Sequence, residues 1–158
     1  MVLNRHRSLQ DWLKKEDVDL AMFQTKENVF YLSGFHADPH ERIIAVFLFR
    51  EAEPFIICPN MEVNQIKKVF QIGEIIGYSD TDNPWKKIKE AVEKRVSNVK
   101  RIGLETDTQW GRVKKLSQLY PEAELIEADE QILLQRLIKS EEEIAKLKEA
   151  AKYADFGV

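Results

Sequence analysis

Two apolar runs stand close together, "IIAVFLFR" (residues 43–50) and "PFIICP" (residues 54–59), with only "EAE" between them. Two β-rich runs joined by so short a connector predict a hairpin. Neither run alternates apolar with polar residues, so both faces of the hairpin are expected to be covered. A hairpin with two covered faces needs helices on both sides of a sheet, and this constrains the fold more than any other feature of the chain.

The rest of the sequence supplies those layers. "VDLAMF", "GEIIGYSD", "RIGLETD" and "AELIEAD" read as further strands. Helical patterns fall between them. Leu9, Trp12 and Leu13 recur at i, i+3, i+4 in a helix predicted over 8–15. "TKENVFYLSGF" predicts a helix ending at Gly34, and Phe35 after it is expected in the core. "NMEVNQIKKVF" turns Val63, Ile66, Val69 and Phe70 to one side. Asn83 caps the next helix, Pro84 suits its first turn, and Trp85, Ile88, Val92 and Val96 form its apolar stripe. In "TQWGRVKKLSQLY" the stripe is Trp110, Val113, Leu116 and Leu119 or Tyr120. Strands alternating with helices, plus one hairpin, predict an α/β domain with a mixed β-sheet flanked by helices.

The last helical pattern opens with a capping box, Ser140 followed by Glu143. Its stripe is Ile144, Leu147, Ala151 and Ala154. Either the helix docks on the preceding domain, or it leads into a further one.

Composition narrows the function. The 158 residues suit one domain, with 44% hydrophobic and 32% charged residues. The formal net charge of −3 argues against nucleic acid as a partner, and the pairs Lys67-Lys68, Lys86-Lys87 and Lys114-Lys115 read as solvated helix faces. The single cysteine, Cys58, lies in an apolar run and is expected to be a buried, inert thiol. No apolar run approaches the ~20 residues of a membrane span, and "MVLNRHRSLQDWL" lacks the apolar stretch of a signal peptide, so the expected location is cytoplasmic.

A hydrolase needs a nucleophile with a base, a metal, or paired carboxylates. Histidines are scarce: His6, His36 and His40. His6 lies in a basic segment and is expected to be solvated. There is no H-E-x-x-H, and "GLETDTQWG" lacks the glycines and lysine of a phosphate loop. Gly34 and Gly103 read as turn or packing glycines. The concentrated polar feature is Asp38-Pro39-His40-Glu41-Arg42. As a connector it needs only local bonds, an Asx-turn at Asp38 and a surface pair between Glu41 and Arg42. As a binding element, His40 and Arg42 offer donors to an anion or a peptide carboxylate.

The segment "NVFYLSGF" (28–35), the strand "RIGLE" and above all "YPEAELIEADEQILLQRLIKSEEEIAKLKEAAKYAD" resemble the N-terminal domain of the creatinase/prolidase family, the Xaa-Pro dipeptidases and aminopeptidases P. Arg136, Ile138, Lys139, Ser140, Glu143, Ile144, Leu147, Lys148, Ala150 and Ala151 fill the positions that carry the likeness. The resemblance implies a ribonuclease H-like layout over 1–136. It implies that 137–158 begin the linker helix into a catalytic metallopeptidase domain absent from this chain. That domain would hold two divalent metal ions (Mn, Co or Zn) through ligands this sequence lacks, so no catalytic or metal residue is assigned here.

The resemblance further implies a homodimer that cleaves short peptides with proline at the second position. In it, the N-terminal domain of one subunit leans over the active site of the other. Asp38, His40, Glu41, Arg42 and His36 then form a lid that selects substrate across the dimer, alongside the chain's own C-terminal catalytic domain. Two other readings use the same fold: a non-enzymatic binding or regulatory module, and a creatinase-type hydrolase of small molecules.

Overall fold

The computed structural model describes residues 2–36, 38 and 41–157. Among them the chain forms six strands: β1 (Leu20–Phe23), β2 (Ala45–Phe49), β3 (Phe55–Pro59), β4 (Glu74–Tyr78), β5 (Arg101–Leu104) and β6 (Glu124–Glu127). The helices are α1 (Val2–Lys15), α2 (Lys26–Ser33), α3 (Val63–Ile66), α4 (Pro84–Glu93), α5 (Trp110–Leu119), α6 (Asp129–Leu137) and α7 (Glu141–Phe156), with a 3-10 turn at Asn60–Glu62. The strands make one sheet in the order β4-β3-β2-β1-β5-β6.

β2 and β3 form the expected hairpin, pairing antiparallel with Val46 opposite Ile56. β1 pairs antiparallel with β2 and parallel with β5, while β3–β4 and β5–β6 are parallel. The sheet is therefore mixed. Every residue of β1, β2 and β3 is buried, which is why none of them alternates in sequence.

Successive residues point to opposite layers. On one face Ala21, Phe23, Val46, Leu48, Ile56 and Cys58 meet Leu9 and Leu13 of α1, Leu32 of α2, Ile66 of α3 and Ile132 of α6. On the other, Leu20, Met22, Phe47, Phe49 and Phe55 meet Ile88 and Val92 of α4 and Leu116 of α5. Phe47 and Phe55 stack with ring centroids 4.6 Å apart, and truncating either to alanine is worth about 3–5 kcal/mol of stability.

Local signals act as their chemistry requires. Asn83 Oδ1 accepts from the backbone N–H groups of Trp85 and Lys86, with Pro84 in the first turn of α4. Gly34 ends α2 in the left-handed region at φ 75°, donating to the Phe30 carbonyl. Gly103 lets β5 pass under its neighbours: a Cβ there would sit 3.1 Å from Ala21 Cβ and 3.3 Å from Ala128 Cβ. Phe35 and Cys58 are buried, as expected. Burial pushes the Cys58 thiol up to about 12, so it is inert.

Three expectations need correction. His6 is not solvated: α1 begins at Val2, earlier than periodicity suggested, and its inner face carries His6 into the core at 3% exposure. Trp110 does not face inward. It is 77% exposed, because α5 is rotated to bury Arg112 and Leu116 instead. Val69 is likewise exposed, lying beyond the short α3. Of the two courses left open for α7, docking as a covered helix is not the one seen. None of its residues is buried, and Leu147 is 57% exposed. Arg5 ties it to the domain, donating to Glu143 Oε1 at 2.6 Å and to the Tyr31 carbonyl while lying over the Tyr31 ring. No helix among the described residues is long and apolar enough to cross a membrane.

Candidate functional site

The carboxyl ends of the parallel strands β1, β3, β4, β5 and β6 share one edge of the sheet, and the amino end of β2 joins them there because it runs antiparallel. The polar loop enters β2 at that edge. In open α/β sheets this is the edge where ligands bind.

A chain of buried polar side chains is built behind the loop. Glu105 follows β5 and is 2% exposed. Its carboxylate accepts from the backbone N–H groups of Gln24 and Thr25, from Thr25 Oγ1 at 2.5 Å and from Asn28 Nδ2 at 2.6 Å. Thr25 is the N-cap of α2 but caps nothing with its own side chain. Glu105, from a distant strand, supplies the acceptor and the negative charge that the start of α2 favours. Asn28 Oδ1 in turn accepts from Arg136 Nη1 of α6 at 2.8 Å.

On the other side of Gln24 stands Arg112. Its Nη1 donates to Gln24 Oε1 at 2.6 Å, and its Nη2 donates to the backbone carbonyl of Arg42 at 3.0 Å. Arg112 is 8% exposed, and no carboxylate pairs with it among the described residues. Burial lowers its pKa from the ordinary arginine value. Beside it, the Tyr78 hydroxyl at the end of β4 accepts from the Ile43 N–H at 2.8 Å and donates to the Ile43 carbonyl at 3.1 Å. Burial raises the Tyr78 pKa, so the phenol stays protonated and can serve both groups. The backbone at 42–43 is thus fastened by two side chains from different elements.

The residues singled out by sequence fall unevenly on this frame. Arg42 is half-buried, its Nη1 3.1 Å from Met61 Sδ and its Nη2 3.4 Å from Asp80. Its carboxylate neighbour is Asp80, not Glu41 as a local pairing would have it. His36 is exposed and meets the Phe30 ring edge-on at 5.9 Å. Asp38 and Glu41 are exposed to solvent. His40 and Pro39 lie outside the described residues, and with them half of the expected Asx-turn. Gln24, Thr25, Asn28, Glu105, Arg112 and Tyr78 were not expected at the site. Asn28, Glu105 and Arg136 lie in segments that carry the family likeness, but none was given a role at the site.

The frame holds a loop and offers cationic donors, but among the described residues it contains no acid, base and nucleophile in series. Nor do three or more His, Cys, Asp or Glu side chains gather as a metal ion would require, among the described residues. The described residues therefore do not fit a metal centre.

Residues 5–138 match the Creatinase/Prolidase N-terminal domain. The chain belongs to this family. Within it, the creatinase/prolidase domain described here is 43% identical over 157 residues to YkvY of Bacillus subtilis strain 168, a protein named provisionally as a dipeptidase; the match covers 99% of this chain and 43% of that protein. It is 33% identical over 150 residues to the Xaa-Pro dipeptidase of Lactobacillus delbrueckii subsp. lactis, covering 94% of this chain and 41% of that enzyme. The chain therefore spans about two fifths of the length of these relatives. Among solved structures, a proline dipeptidase chain from Streptococcus pneumoniae TIGR4 superposes with a TM-score of 0.78 at 30% identity, covering 85% of this chain and 98% of that one.

Proposed function

We propose that this creatinase/prolidase domain is the N-terminal part of a cytoplasmic Xaa-Pro dipeptidase, where it forms a dimer contact and lends a substrate-selecting lid to the partner's active site. The lid is the segment carrying His36, Asp38, His40, Glu41 and Arg42. The observation that carries the reading is the construction of that segment: a run of charged side chains whose exit into β2 is fastened by Arg112 and Tyr78. A solvated connector needs no buried arginine beneath it. A lid does, because a displacement of one ångström at a reacting centre costs orders of magnitude in rate. A dipeptide carries charge at both ends, and a segment with carboxylates, imidazoles and a guanidinium can meet both.

The catalytic metals, two divalent ions of Mn, Co or Zn, belong in this reading to a downstream domain of the kind the longer relatives have room for. This domain supplies recognition and enclosure.

The test is hydrolysis of Leu-Pro, with manganese added, by the full-length enzyme and by its His40→Ala, Arg42→Ala double variant. Loss of kcat/KM by ten-fold or more, together with relaxed preference for peptide length, is the expected result. Unchanged kinetics would return the segment to the status of a surface turn. An inactive full-length protein with a correctly loaded metal site would remove the peptidase reading itself.

A further inference from the structure

Among the described loop residues His36, Asp38 and Glu41 are exposed, whereas the backbone where the loop enters β2 is gripped, and at Arg42 the grip is a residue of unusual cost. A guanidinium buried without a carboxylate gives up hydration that two neutral acceptors replace only in part. Arg112 accepts that position: it bonds Gln24 Oε1 and the Arg42 carbonyl and nothing acidic among the described residues. A leucine or methionine would serve the core of α5 at lower cost, and Trp110, two residues away, is left in solvent so that Arg112 can point in. What arginine alone provides is a long, planar, multiply donating arm that reaches from α5 to the loop's backbone. Its second bond fixes the arm's other side to Gln24, whose own N–H is held by Glu105. The anchor is therefore rigid at its base.

We propose that Arg112 is a positioning residue for the backbone at Arg42, where the charged loop enters β2. It holds the Arg42 carbonyl there, with Tyr78 fixing the next residue, Ile43. The proposal rests on the lid reading above and deepens it. Arg112 acts through the Arg42 backbone, so it works whatever side chain stands at 42. It need not touch substrate.

The experiment uses the full-length enzyme with Leu-Pro as substrate and compares Arg112→Met, Arg112→Lys and Tyr78→Phe with the His40→Ala, Arg42→Ala double variant. KM is the decisive readout, because it does not depend on how much of the preparation is folded, whereas apparent kcat does. KM is expected to rise about ten-fold in Arg112→Met, to return part of the way in Arg112→Lys, and to rise by a smaller factor in Tyr78→Phe. Amide exchange at Ile43 is expected to quicken in Tyr78→Phe, which removes one hydroxyl and leaves the fold intact. That variant keeps the proposal testable if Arg112→Met does not fold.

If KM stays at the wild-type value in Arg112→Met and Tyr78→Phe while the loop double variant raises it, the lid reading stands and this inference fails. If the loop double variant leaves kcat, KM and peptide-length preference all unchanged, the lid reading fails. A KM rise in Arg112→Met in that case also overturns the inference, because its effect would not pass through the loop.

Discussion

The imidazole of His6 donates from Nε2 to the backbone carbonyl of Leu32 at 2.6 Å, and both groups are buried between α1 and α2. A carbonyl only accepts, so the proton is on Nε2 and the bare Nδ1 has no hydrogen-bond partner among the described residues. Protonating Nδ1 would bury a charge beside Arg5 with no acceptor. Desolvation is the main cause that pushes the His6 pKa down to about 4 from 6.5; the Leu32 bond opposes it and Arg5 adds to it.

The consequence for stability has a definite sign. Between pH 6.5 and about 4 the unfolded chain binds a proton that the folded chain refuses. The stabilisation is complete above pH 6.5 and drains away as pH falls, reaching about 3 kcal/mol at most. Urea titrations of this chain at pH 7.5 and pH 4.5 should show that loss, and His6→Gln should flatten it. A His6→Gln variant with the same pH dependence as wild type would place the acid-sensitive group elsewhere.

Glu105 is the most heavily bonded side chain at the sheet edge, accepting from Gln24, Thr25 and Asn28. Glu105→Gln keeps the shape but turns an amide donor toward other donors. It should cost about 2–4 kcal/mol in chemical denaturation, with α2 loosened first. A change below about 0.5 kcal/mol would mean that Glu105 is not the cap of that helix.

The start of α7 depends on a reciprocal pair: Ser140 Oγ accepts from the Glu143 N–H, and Glu143 Oε2 accepts from the Ser140 N–H. α7 buries no residue, so its helicity rests on this cap and on Arg5. Ser140→Ala should weaken the helix by about 1 kcal/mol. Faster amide exchange confined to 141–156, with an unchanged denaturation midpoint for the domain, is the expected pattern. A shift of the whole midpoint would show that α7 is part of the cooperative unit.

Between α6 and α7 runs an open groove lined by Tyr31, Leu133, Leu134, Leu137, Leu147 and Ala150. Apolar surface gathered this way binds apolar dyes. The chain should enhance anilinonaphthalene sulfonate fluorescence in the native state, and Leu137→Lys with Leu147→Lys should abolish most of it. Dye binding that survives both changes would locate the exposed surface elsewhere.

The layered α/β plan was legible because it is written locally. Doubly covered β2 and β3 leave unbroken apolar runs, and Asn83, Pro84, Gly34 and Ser140 mark helix ends within a few residues of themselves. The sheet order was not legible, since pairing β1 with β5 joins Leu20 to Ile102 and no local pattern encodes that. The site divided in the same way. The loop announced itself because its charges are neighbours in sequence. Its support did not: the bonds that make it span 35 to 108 residues, from Tyr78 to Ile43 and from Arg136 to Asn28. The rotation of α5 misled for a related reason. An apolar stripe through Trp110 is the better amphipathic solution for an isolated helix. Only the acceptors waiting at Gln24 and Arg42 make Arg112 the inward residue.

The sheet order has a consequence for how the polypeptide is made. β1 through β4 are neighbours in the sheet and lie within the first 78 residues, so a growing chain can lay down that half early. The far edge of β1 has to wait for β5, at 101–104. At ~5–20 residues per second, translation from residue 78 to residue 104 leaves that edge of the laid-down half open for roughly 1–5 seconds. In that interval the core strand is a bare template for any extended peptide nearby. The last strands to emerge therefore do more than extend the sheet. They close a window in which its centre is unprotected.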